Sequence, residues 1–253
     1  MRRRRNPYRV IAGKETKTWL PDDAGKVHGD LKWIPAKHGG SPYLLLPTGD
    51  EIELVELGKG QFTTAYLGAD QWVYLLTIQE GLRDHAKDAM VDMTRMYGTD
   101  PEAIHFPWVE SIGDVNKKGV WYTVYREPLY EKIPAGSPNA KLASALKKVA
   151  EEGRQLVLRA ARDPRTSHRS RDYEKNAQVD AILASPKVPD SLKQAVQVMA
   201  DYIANYGDGW LFEFPIRNLV QDADGNLVLL DVIFDADALM QQRMAKAKQQ
   251  RGW

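Results

Sequence analysis

Apolar and charged positions alternate through the first half of this chain and shift to helical spacing in the second. Tyr43-Leu44-Leu45-Leu46, the turn Pro47-Thr48-Gly49-Asp50 and residues 51–57 form a hairpin-like pair, its second half alternating charged and apolar residues with period two. Two further strands are predicted over 62–67 and 72–78, with glycines at the neighbouring turns. Residues 82–97 place Ala86, Ala89, Met90, Met93 and Met96 at helical spacing and stop before Gly98. Strand character returns over 106–112 and 120–125.

From Pro138 the spacing becomes helical. Residues 141–162 form a long amphipathic stretch, 165–171 read as a basic surface connector, and 190–206 carry an N-cap aspartate, Asp190, with a stripe of Leu192, Val196, Met199 and Ile203. Asn218-Leu219-Val220, the turn 222–226 and residues 227–230 predict a hairpin, followed by a Lys/Gln-rich helix over about 236–250. The expected fold class is α+β: a basic arm over 1–40, a β-rich N-lobe over 41–128 and a reduced, mainly helical C-lobe over 129–253, with a cleft between the lobes.

At 253 residues, 43% apolar and 27% charged, the chain can bury a sizeable core and lacks the signature of disorder. Thirty-five basic residues against 34 acidic ones leave a net charge of +1, so no overall field draws it to nucleic acid or an anionic membrane. There is no cysteine, which excludes disulfides, thiol nucleophiles and thiolate metal sites and fits a cytoplasmic protein. Arg2 to Arg5 have the charge of a signal-peptide start, but no apolar segment of sufficient length follows, so export is not expected. No run is long enough to span a bilayer, and membrane and nucleic-acid partners are not expected.

Two segments carry candidate chemistry. Leu57-Gly58-Lys59-Gly60-Gln61-Phe62-Thr63-Thr64-Ala65-Tyr66 is a glycine-rich turn between two strands, where backbone amides can approach phosphate oxygens; a plain tight hairpin has the same pattern. Phe62 would cap that turn, and Ala65 is small where an adenine ring needs room. The second segment runs from Glu213, five residues before Asn218, through the hairpin to Asp231. A carboxylate, an asparagine and a second carboxylate at those steps match an acceptor-orienting residue followed by two magnesium ligands. Asp222, Asp224 and Asn226 resemble the start of a calcium loop, but Leu227 and Ile233 occupy positions that such a loop gives to glycine and glutamate. The five histidines show no metal-ligand spacing.

Together Gly58, Gly60, Phe62-Thr63, Ala65-Tyr66, Arg95-Met96-Tyr97, Asn218 and Asp231 resemble the early protein kinases of T7-type bacteriophages and, more distantly, the protein-kinase superfamily. The resemblance implies a bilobal fold binding ATP with Mg²⁺, transfer to serine or threonine of host proteins, and a location in the host cytoplasm. It implies Glu213 as the catalytic carboxylate, Gly58, Lys59, Gly60, Phe62 and Ala65 around the nucleotide, and Asn218 and Asp231 as metal ligands. Departures accompany it. Leu76 stands where that pattern has a strand lysine, a residue that Asp88 or Asp92 on the following helix would face, and Lys59 either reaches the phosphates instead or is a solvated turn lysine. Glu213 replaces an aspartate, and a misplacement of about 1 Å can cost on the order of 10²-fold in rate. Asp208 is a possible substitute carboxylate. Only 22 residues follow Asp231, too few for an activation segment and a full set of helices. The expectation is a pseudokinase or weakly active kinase that binds Mg-ATP and docks to a host protein, with an active Ser/Thr kinase as the alternative.

Overall fold

Period-two alternation draws the first half of the chain into one antiparallel sheet. The computed structural model describes residues 29–37, 40–60, 62–79, 86–97, 103–160, 171–205 and 210–235, with 240, 241 and 244. Among these residues the protein is a mixed α/β fold with a seven-stranded sheet and four helices. They fall into two compact units, one holding the residues up to Arg95 with Trp108–Leu129, the other holding Met96–Pro107 and everything from Tyr130 onward.

The sheet of the first unit contains β1 (Lys32–Ile34), β2 (Tyr43–Leu45), β3 (Glu51–Lys59), β4 (Thr63–Gly68), β5 (Trp72–Ile78), β6 (Glu110–Lys117) and β7 (Val120–Pro128). Its spatial order is β1-β2-β3-β4-β5-β7-β6. The sheet curls until its two outer strands approach, and Gly29 N–H reaches the Ile112 carbonyl at 3.2 Å. Leu44, Leu54, Tyr66, Tyr74, Leu76 and Val124 pack together on the inner face. Each fully buried aliphatic side chain of this kind contributes about 1.5–3 kcal/mol.

Helix α1 (Ala86–Tyr97) lies between β5 and β6 in sequence and buries Ala86, Ala89, Met90 and Met93, as the spacing predicts, while Met96 is exposed. Residues 29–34 belong partly to the sheet: β1 adds a strand where an irregular arm was expected, because Leu31 and Trp33 join the inner cluster. Residues 1–28, 38 and 39 of the basic arm lie outside the described residues, as does most of the expected C-terminal helix, of which Met240, Gln241 and Met244 are helical.

The second unit contains α2 (Pro138–Ala160), α3 (Arg171–Ala184) and α4 (Asp190–Ala204). Leu192, Val196, Met199 and Ile203 are buried as the stripe predicts. Asp190 is not the cap: Pro189 occupies that position, and Asp190 instead lies 3.3 Å from Lys193 one turn on. Strands β8 (Glu131–Lys132), β10 (Leu219–Gln221) and β11 (Leu227–Leu229) form a small sheet, and β9 (Trp210–Phe212) pairs with β12 (Ile233–Asp235). Among the described residues no helix is long and apolar enough to cross a membrane.

Candidate functional site

The glycine-rich segment is the β3–β4 turn. A register shift between Glu56 and Gly58 sets Gly58 opposite Ala65 and Lys59 opposite Thr64, and Gly60 N–H closes the turn on the Thr63 carbonyl at 2.7 Å. Phe62 is half-buried and its carbonyl accepts from Ile78 N–H at 3.0 Å. Neither Gly58 nor Gly60 has a positive φ, and a Cβ on Gly58 would meet nothing within 4 Å. The fold therefore does not itself require glycine at 58, a point that bears on what approaches the turn from outside. Lys59 is exposed.

The strand position that the resemblance matches to a lysine is buried. Leu76 is 1% exposed and packs in the inner cluster, whereas Ala65 is paired with Leu75, and Thr63 with Thr77. Because cross-strand partners share a face, Leu75 and Thr77 are the β5 residues on the side of Ala65. That side carries a polar row: the hydroxyls of Thr63 and Thr77 are 2.8 Å apart, and Gln79 Nε2 donates to Thr123 Oγ1 at 3.0 Å. Helix α1 covers it, with Tyr125 Oη donating to Asp88 at 2.5 Å and Lys87 Nζ lying 3.9 Å from Glu127 in a buried pair. The cation is on the helix and the acid on the strand, the reverse of the arrangement in the pattern the sequence resembles. Asp92 is 3.7 Å from Arg95 near the helix end.

The second segment is built by a turn that folds itself. Asp222 Oδ1 accepts from the N–H groups of Asp224 and Asn226 at 3.0 and 2.8 Å, its Oδ2 accepts from Asn226 Nδ2 at 2.9 Å, and Gly225 takes a φ of 83°. The carboxylate is thus committed to the turn rather than to a cation. This turn pairs β10 with β11 and brings Asn218 beside Asp231: Leu230 N–H donates to the Asn218 carbonyl at 2.9 Å, and Asn218 Nδ2 donates to the Asp231 backbone carbonyl. Asp231 itself is exposed. Glu213 is also exposed and is held by its N–H to the Val232 carbonyl at 2.8 Å, next to the β9–β12 pair. Asp208 lies outside the described residues.

Asn218 and Asp231 offer one amide oxygen and one carboxylate, the hard donors that Mg²⁺ takes when phosphate oxygens and water complete its shell. Among the described residues no group of three or more His, Cys, Asp or Glu side chains is placed to hold a metal alone. Sequence reading missed α3, whose few apolar residues are interrupted by the buried polar side chains Lys175 and Gln178. The absence of glycine and proline between Arg171 and Ser185 was the available signal.

No family model and no curated protein matches the chain. It is similar to a solved structure of vaccinia related kinase 3, at 10% sequence identity and a TM-score of 0.35, over 79% of this chain and 54% of that one. The chain thus spans about half the length of the structure it matches.

Proposed function

We propose that this chain is a kinase-like nucleotide-binding protein of T7-type phage character, a pseudokinase or weakly active kinase that binds Mg-ATP and docks to a host protein in the host cytoplasm. The observation that carries this reading is the β10–β11 hairpin, which seats Asn218 directly beside Asp231. In the proposal Asn218 Oδ1 and the Asp231 carboxylate hold the metal, which neutralises phosphate charge. Gly58, Lys59, Gly60 and Phe62 approach the phosphates, and Ala65 leaves room for the base. The open space around Gly58 supports such an approach.

If transfer occurs, the bond between the γ-phosphorus and its bridging oxygen breaks as the acceptor hydroxyl oxygen bonds to phosphorus. The hydroxyl proton passes to the Glu213 carboxylate, and ADP leaves. The longer Glu213 side chain and the inward-facing Leu76 favour slow transfer or none. Retention of both Asn218 and Asp231 at one hairpin end favours the second reading, an active Ser/Thr kinase acting on host proteins.

Calorimetry of ATP binding with and without Mg²⁺, on the parent and on Asn218→Ala/Asp231→Ala, tests the proposal. Binding that needs Mg²⁺ and is lost in the double variant is the expected result. Transfer of labelled γ-phosphate to protein then separates the two readings, and absence of any nucleotide binding overturns both.

A further inference from the structure

The second unit contains a cavity of about 600 Å³ bounded by α2, α3 and the β9–β12 pair, within the size range of small-ligand sites, about 300–1,000 Å³. Its walls are aromatic. Phe212 and Phe214 stack with centroids 5.6 Å apart and planes 7° from parallel, and Phe234 of β12 also lines it. Its polar lining has Glu151, Glu174 and Glu213 against Lys147 and Arg154. Arg154 is already engaged, its Nε donating to Glu174 at 2.6 Å and its Nη1 lying 3.5 Å from Glu151.

Gln178, also in the lining, is 5% exposed. Its Nε2 makes a long contact of 3.5 Å to the Phe212 carbonyl, and its buried Oε1 has no hydrogen-bond partner. An unpaired buried amide oxygen is a standing cost to the fold that a donor would relieve. Gln178 lines the cavity, and a rotation of its side chain would present that oxygen to it.

We propose that this cavity binds an ammonium or guanidinium group carried on an apolar or aromatic stem. The excess of carboxylates favours a cation, the phenylalanine faces attract it and shelter its stem, and its N–H groups supply the donor that Gln178 lacks. The source is a free amine or a basic side chain of a peptide. Asn218 and Asp231 do not line the cavity, whereas Glu213 does, so the inference shares that one residue with the transfer step proposed above and is independent of the metal ligands.

The test titrates the full chain by calorimetry with phenethylamine, with acetyl-Phe-Arg-amide and with 3-phenylpropionate, the anionic counterpart. The expected result is binding of at least one cationic probe with the anion about tenfold weaker or more, a difference of about one decade in Kd. Amine binding without peptide binding identifies a small-molecule site, and the reverse identifies a peptide site. Gln178→Met, close in size and without the unpaired oxygen, is expected to melt no lower than the parent and to bind the cation several-fold more weakly. Glu213→Gln gives a second reading at an exposed position should Gln178→Met fail to fold. Asn218→Ala/Asp231→Ala is expected to bind the amine as the parent does. Failure of both cationic probes, equal binding of the anion, or an unchanged Kd in the lining variants overturns the proposal.

Discussion

Asn218 holds the backbone carbonyl of Asp231 with its side-chain amide, and the main chain beside Asp231 returns a hydrogen bond from Leu230 to Asn218 at 2.9 Å. The asparagine therefore shapes the end of the hairpin as well as offering an oxygen. Asn218→Ala is expected to cost about 1 kcal/mol, the net value of one such hydrogen bond, and to lower Tm by about 2–4 °C. A melt repeated with Mg-ATP adds the functional half: the parent should be stabilised by the nucleotide and the variant should not. A variant with parental Tm in both conditions would rule out the clamp and the ligand role together.

Arg126 and Glu110 make a buried pair at the centre of a cross-strand row. Arg126 stands opposite Glu110 on β6 and opposite Tyr74 on β5, donates through Nε to Glu110 at 2.6 Å, and lies over the Trp72 ring at 4.4 Å. Tyr74 in turn donates to Asp70 at 2.6 Å. Arg126→Met strands the Glu110 charge and is expected to cost about 3–5 kcal/mol. Adding Glu110→Gln should recover part of that loss, a non-additivity measurable by urea unfolding of both single variants and the double. Simple additivity would mean the two residues act independently.

The first unit was legible because β-strands reveal themselves through alternation, and residues 51–57 and 72–78 alternate or are continuously apolar. The β10–β11 hairpin was legible for a local reason: Asp222 and Gly225 determine the turn without help from elsewhere in the chain. Helix α3 was not, because it buries Lys175 and Gln178 along with its apolar residues, so its pattern reads as surface. The face of Leu76 was not legible for another reason. A strand's period tells which residues share a side, but the side that α1 covers depends on contacts such as Tyr125 to Asp88, far apart in sequence. Gln178 lay beyond sequence reasoning altogether, since an unpaired amide oxygen is a property of packing.

Two glycines should respond in opposite ways to the same change. A Cβ on Gly153 of α2 would collide with the Ala177 carbonyl of α3 and crowd Ala181, so Gly153→Ala forces the helices apart and is expected to cost about 1–3 kcal/mol. Gly58→Ala meets nothing and should change stability by less than about 0.5 kcal/mol. If the turn approaches phosphates, that silent substitution should nonetheless weaken Mg-ATP binding. Chemical denaturation and calorimetry on the two variants check both halves.

His105 supplies a pH dependence whose sign follows from its partners. Its Nδ1 lies 2.6 Å from the Leu227 carbonyl, which can only accept, so Nδ1 carries the proton and Nε2 accepts from Ser191 Oγ at 3.0 Å. Burial lowers the imidazole pKa, outweighing the Leu227 carbonyl and the Asp222 carboxylate, which raise it. In the unfolded chain the group titrates near 6.5. Above that value both states are neutral and stability is full. As pH falls below it, the unfolded state takes up a proton that the folded state refuses, and stability drops by up to about 1.4 kcal/mol per pH unit until the folded value is reached. Asp70 acts in the opposite sense: burial raises its pKa, so its ionisation weakens the fold as pH rises through the folded value. The difference between the parent and His105→Gln isolates the histidine. Urea midpoints at pH 7, 6 and 5 should converge for the two proteins as the pH falls, and parallel profiles would show that His105 ionises alike in both states.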